Sequence, residues 1–180
     1  LGATPRSIVV DPFGYRAYVS TDEAEIQVWD IRLGSPTYQQ QVSVLYSADG
    51  ISLTGEMAIT PAGDRLLALG GSGETFFYNL GPNTLTDRIP INVDPRSVVI
   101  DPQGQRAYVA DGNGDLSVLS VGAAPFFVQD IETGGSLRGF DTTPAGLFLY
   151  ASDGELDNMK IVDLDETSGT FRSVIEDTPQ

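Results

Sequence analysis

Cysteine and histidine are both absent from this chain, and lysine occurs once, at position 160. Without cysteine there are no disulfides and no thiol nucleophile, and without either residue there is no thiolate or imidazole zinc site. The missing histidine removes the commonest general base and excludes Ser–His–Asp catalysis within the chain. A Ser–Lys dyad would have to use Lys160, and nothing near it in sequence suggests one. No run approaches the ~18–20 apolar residues of a membrane helix. No basic-then-apolar leader and no initiator Met precede Leu1-Gly2-Ala3-Thr4-Pro5, so the sequence is expected to begin within a longer chain. A cysteine-free chain suits any compartment.

Positive charge is also scarce: 10 Lys and Arg face 25 Asp and Glu over 180 residues, a formal net charge of −15. Nucleic acid and anionic membrane surfaces, which need clustered cations, are therefore disfavoured as partners. The nine arginines against one lysine read as coding bias and carry no functional weight. The acidity itself serves solubility, with divalent-cation binding as the sharper alternative.

What the chain does have is a repeat. Thr4 to Val19 aligns with Asp94 to Val109 at an offset of 90 residues, with 11 of 16 positions identical. Weaker copies run from Ala58 to Leu67 and from Asp141 to Tyr150. The anchor prolines Pro12, Pro61, Pro102 and Pro144 are spaced by 49, 41 and 42 residues. A period near 40 made of short strands is that of a propeller blade. Each unit opens with a β-branched run such as Ser7 to Val10 and passes through an Asp/Thr-Pro-x-Gly turn, where proline presets φ and glycine accepts a positive one. Second strands are expected at Arg16–Ser20, Arg65–Leu69, Arg106–Ala110 and Phe148–Ser152. Third strands follow at Ile26–Ile31, Thr75–Leu80, Leu116–Val121 and Met159–Leu164. Less regular outer strands complete the units at Gln41–Leu45, Thr86–Ile91, Phe126–Ile131 and Phe171–Ile175. Four such strands with tight turns make an antiparallel meander. Helix should be scarce, because no stretch carries a clean 3.6-residue apolar period. The apolar innermost strands should be covered on both faces.

Pro5-Arg6-Ser7-Ile8-Val9-Val10-Asp11-Pro12 with Gly14, then Ala17-Tyr18-Val19-Ser20 and Ile26-Gln27-Val28-Trp29-Asp30, resemble the YVTN-type β-propeller repeat of bacterial and archaeal surface and periplasmic proteins. Ala107-Tyr108-Val109-Ala110 and Leu116-Ser117-Val118-Leu119 match it again, whereas Leu67-Ala68-Leu69 and Tyr150-Ala151-Ser152 depart from it. The expected fold is an all-β propeller of four antiparallel four-stranded blades, at about 4–50, 51–92, 93–135 and 136–178, within a single domain over 1–180. Such repeats usually form seven- or eight-bladed rings. Four blades taken from one leave two end faces of roughly 330 Å² each. Three closures are open: the remaining blades of a longer chain, a second copy as a homodimer, or a small four-bladed ring.

Arg6, Arg96 and Arg138 each stand six residues before an anchor proline, near the expected mouth of the central channel. There they either bind an anion, since guanidinium forks suit carboxylate and phosphate, or pair with neighbouring aspartates to hold blade to blade. Arg16, Arg65 and Arg106, two residues after the turn glycine, should cover a turn. Asp111, Asn113 and Asp115 alternate like the start of a calcium loop, but Leu116 and Gly122 stand where that loop needs Gly and Glu. Asp153, Glu155 and Asp157 are a weaker case at the equivalent turn. Trp29, Tyr18, Tyr78, Tyr108 and Tyr150 fit strand cores better than a sugar platform. No catalytic residue and no cofactor other than calcium is indicated. The expected function is a non-enzymatic binding or scaffold module of an exported or cell-surface bacterial protein, engaging a protein or small anionic ligand at the channel mouth. The alternative is a fragment of a lactonase-like or cofactor-dependent dehydrogenase propeller, with its active-site residues in other blades.

Overall fold

The computed structural model describes residues 3–91, 94–155 and 157–179, with side chains described through Ile175. The chain divides into two compact units, Leu1–Pro90 and Ile91–Gln180. The first holds β1 (Pro5–Val10), β2 (Arg16–Thr21), β3 (Glu25–Asp30) and β4 (Gln40–Tyr46), then β5 (Leu53–Ile59), β6 (Arg65–Gly70), β7 (Glu74–Asn79) and β8 (Thr84–Pro90). The second holds β9 (Pro95–Ile100), β10 (Arg106–Asp111), β11 (Asp115–Ser120) and β12 (Phe126–Glu132), then β13 (Leu137–Thr142), β14 (Phe148–Asp153), β15 (Asn158–Asp163) and β16 (Val174–Pro179). Every group of four forms its own antiparallel sheet in sequence order, the expected meander. A single 3-10 turn at Ala48–Gly50 is the only helical element among the described residues.

The turn that carries the repeat is built the same way each time. In the first copy, Asp11 Oδ1 accepts the amides of Phe13 and Tyr15 at 3.0 and 2.9 Å, and Gly14 takes φ +71°. Asp101 accepts the amide of Gln105 at 2.7 Å. In the weaker copies a threonine hydroxyl replaces the carboxylate: Thr60 Oγ1 takes the amides of Asp64 and Arg65, and Thr143 Oγ1 those of Leu147 and Phe148. The glycines there, Gly63, Gly104 and Gly146, have φ of +68°, +69° and +70°, a left-handed conformation that a Cβ disfavours.

Within each unit, one sheet packs face to face on the next. In the first unit Tyr18, Ile26, Val28 and Leu45 meet Leu66, Ala68, Phe76 and Tyr78, all buried. In the second, Tyr108, Ala110, Leu116 and Val118 meet Leu149, Ala151, Val162 and Leu164. Alternation assigns the faces: Val9 joins the first core while Ile8 and Val10 point the other way.

Three expectations are corrected. Inner strand β1 is covered on one face only, with Ile8 and Val10 61% and 47% exposed, because no described sheet of its unit packs on that side. The last outer strand begins at Val174, not Phe171, because a hydrogen-bonded turn runs on through Arg172, whose φ is +61°. Tyr18, Tyr78 and Tyr108 are core residues as expected, but Tyr150 is 39% exposed: in β14 it lies opposite the face carrying Leu149 and Ala151.

Candidate functional site

The three arginines singled out by register have different fates. Arg96 Nε and Nη2 donate to Asp94 Oδ2 at 3.0 and 2.8 Å, and Nη1 donates to Ser136 Oγ at 2.9 Å on the approach to β13. It holds blade to blade. Arg138 and Arg6 are exposed, and neither forms an ion pair among the described residues. All three lie against the turn between the second and third strands of their own blades. A Cβ on Gly112 would come 2.7 Å from Arg96 Nη2, and one on Gly154 would come 2.6 Å from Arg138 Nε. In the first blade that position is Asp22, whose carboxyl is held below its ordinary range by the Thr4 amide first and by the Arg6 charge as a smaller effect. In the second blade the arginine's own register position is Gly55. A Cβ there would lie 2.9 Å from Arg6 Cβ, and its φ is +110°, so glycine lets Arg6 lie over the joint. Arg6 also borders a cleft of about 370 Å³ on the uncovered face of β1, lined by Pro5, Ser7, Ile8 and Val19.

The proposed calcium loop is a turn. Asp111 Oδ1 accepts the amides of Asn113 and Asp115, both at 2.9 Å, repeating what Asp11 does at its own turn. Burial, followed by the charges of Asp111, Asp130 and Glu132, pushes the Asp115 carboxyl above its ordinary value. Among the described residues no three acidic side chains are placed to hold a metal ion. At the equivalent turn, Asp153 Oδ1 accepts the amides of Ser136 and Glu155, and Asp153 Oδ2 lies 3.5 Å from the buried Lys160 ammonium. Arg16 and Arg106, expected to cover turns, pair with Asp30 at 2.9 Å and Glu166 at 2.8 Å.

Sequence comparison finds no matching protein-family model and no matching curated protein. Comparison of structures does. A hydrazine synthase from Kuenenia stuttgartiensis superposes with a TM-score of 0.82 at 20% identity, over 97% of this chain and 49% of its own. The propeller domain of Cps50 (Swd1) from Myceliophteria thermophila gives 0.79 at 10% identity, over 100% of this chain and 56% of its own. The fold is a β-propeller. The chain spans about half the length of these two structures.

Buried polar groups of this propeller serve its blades. Asp30, 1% exposed, accepts the hydroxyls of Ser35 and Thr37 at 2.6 Å each and the Arg32 amide at 3.0 Å, and pairs with Arg16. Asp163 repeats this with Thr170 and the Asp165 amide. Both carboxyls are held below the ordinary range by their hydroxyl donors, Asp30 the more strongly. The common spacing, Asp-x4-Ser-x-Thr, stands in the sequence at 30–37 and 163–170 and was readable there. Burial raises the Tyr78 phenol far above its ordinary value and pushes Tyr108 up to about 12, so neither supplies a proton or a phenolate near neutrality.

A depressed folded-state carboxyl stabilises the fold above its unfolded value, near ~3.9, and that stability is lost as pH falls toward the folded one. Asp30→Asn is therefore expected to melt several degrees below wild type at pH 6. It should lose less than wild type between pH 4.5 and 2.5. Equal slopes in melting temperature against pH would assign the acid sensitivity elsewhere.

Proposed function

We propose that this propeller is a non-enzymatic binding and scaffold module of YVTN type, belonging to an exported or cell-surface bacterial protein. Its partner is a protein or small ligand that presents an anionic group to Arg6 of the first unit or, separately, to Arg138 of the second. The observation that carries this reading is the pairing pattern: in a chain with 25 acids, these two exposed guanidinium groups recur at one register position and form no ion pair among the described residues. Arg6 further stands beside an apolar shelf of Ile8 and Val19, the mix of cation and apolar surface that recognition sites use. The buried carboxylates detailed above hold turns and blade joints.

The test separates binding from turnover. The chain, immobilised, is expected to retain a component of the surface-extracted or secreted fraction of the bacterium that carries the gene, and to turn over neither lactones nor alcohols. Turnover of a defined lactone or alcohol without a retained partner would favour the rival reading, a piece of a propeller enzyme.

A further inference from the structure

A second site in the first unit is independent of the two arginines above. The 4–19 and 94–109 copies differ at five positions; two are Val and Ile exchanges and one replaces Thr4 by Asp94. The other two replace aromatic residues by glutamine: Phe13 is matched by Gln103 and Tyr15 by Gln105. At the same offset Arg32 is matched by Gly122. The turn folds with either set, since its hydrogen bonds come from Asp11 or Asp101 and its glycine. The turn therefore does not account for Tyr15 and Arg32, while Phe13 also lies against Gly63 of the next blade, as Gln103 lies against Gly146.

The structure places these three residues together. Phe13 and Tyr15 are 63% and 51% exposed, and their rings stack at 6.2 Å with 28° between planes. The Arg32 guanidinium lies 5.8 Å from the centroid of the Tyr15 ring. That contact is weak when exposed, and among the described residues Arg32 forms no ion pair. Beside them is a cleft of about 440 Å³ whose lining includes Tyr15, Arg16, Arg32 and Asn79 together with the carboxylates of Asp11 and Asp64. The volume suits a small ligand. Exposed aromatic rings offer a flat apolar surface for the C–H face of a sugar ring. Asp64 and Asn79 supply acceptors and an amide donor for neighbouring hydroxyls. The guanidinium of Arg32 is a fork for a carboxylate. Arg16 contributes less, because Asp30 and the Tyr15 carbonyl already hold its Nη1.

We propose that this cleft binds an acidic saccharide: a uronic acid residue whose ring lies on Tyr15 and whose carboxylate is taken by Arg32. A cleft of about 350 Å³ on the third blade holds Gln105, Arg106 and Gly122 at the register of Tyr15, Arg16 and Arg32, but it is walled by that blade alone, with Ser120 and Phe126.

The experiment is calorimetric titration of the whole 180-residue chain with trigalacturonate and, in parallel, with neutral galactotriose. Tyr15→Gln and Arg32→Gly transplant the third blade's residues, so both variants should melt with wild type. Wild type is expected to bind trigalacturonate and to bind galactotriose far more weakly. Either substitution should raise Kd roughly tenfold to hundredfold, the size of one charged hydrogen-bonding group or one stacked ring. Three results would overturn the proposal: no trigalacturonate binding by wild type, equal binding of the neutral sugar, or wild-type affinity in both variants. None of these depends on Arg6 or Arg138, so this cleft and the anion-binding reading fail or stand separately.

Discussion

Replacing Asp153 with alanine is expected to destabilise the second unit by about 3–5 kcal/mol, the cost of removing one member of a buried ion pair. Lys160 is 2% exposed and its ammonium sits 3.5 Å from Asp153 Oδ2. The same carboxylate takes the amides of Ser136 and Glu155, so its loss strips an acceptor from a buried amide as well as a counter-ion from a buried cation. Gly135 shows how close the packing is: its φ is +79°, and a Cβ there would fall onto Asp153 Oδ2. The double variant Asp153→Leu/Lys160→Met removes both charges. It should recover part of the loss, but not all of it, because the amides stay unpaired. Urea denaturation followed by far-ultraviolet circular dichroism measures all three. A loss under about 1 kcal/mol for Asp153→Ala would mean that the pair does not hold the joint.

Phe76→Ala is the matching prediction for the first unit, again with a loss of about 3–5 kcal/mol. Phe76 is fully buried between β1–β4 and β5–β8, and its ring edge occupies the space that a Cβ on Gly70 would need, 2.7 Å away. Phe13→Ala is the control of the same chemistry: 63% exposed, it should change stability by less than about 0.5 kcal/mol. Trp29, the single tryptophan, lies in β3 of this unit and reports its unfolding by fluorescence. Equal losses for the two phenylalanines would contradict the packing of blade on blade.

The architecture was legible because its signals are local. Asp-Pro-x-Gly and its threonine variants fix a turn by hydrogen bonds spanning two to five residues, and period-2 alternation fixes which side chains face inward. The strand bounds read from these signals agree with the structure to within a residue or two, except where the Asp163–Thr170 turn delays β16. Pairings across blades were illegible. Nothing in the sequence marks Arg96 as reaching Ser136 forty residues away while its register mates Arg6 and Arg138 form no ion pair among the described residues. Lys160 stands in the strand register of Gln27 and Ser117, and its burial follows only from the face that its blade presents to the third blade. The Phe13, Tyr15 and Arg32 cluster was hidden for a related reason. Its first two members appear in the sequence as mere mismatches between two copies of a turn, and only the chain path from β2 to the end of β3 brings Arg32 over Tyr15.

The claim that matters most for function is that Arg6 and Arg138 carry recognition. Its most direct measurement is equilibrium binding of the retained surface component to wild type and to Arg6→Glu/Arg138→Glu, at low and high salt. Both side chains are exposed and outside the cores, so the double variant should melt with wild type. The expected result is a Kd at least about tenfold higher in the variant, with wild-type binding weakened by salt and variant binding nearly indifferent to it. An unchanged Kd in a folded variant would contradict the account and move the binding surface elsewhere on the propeller.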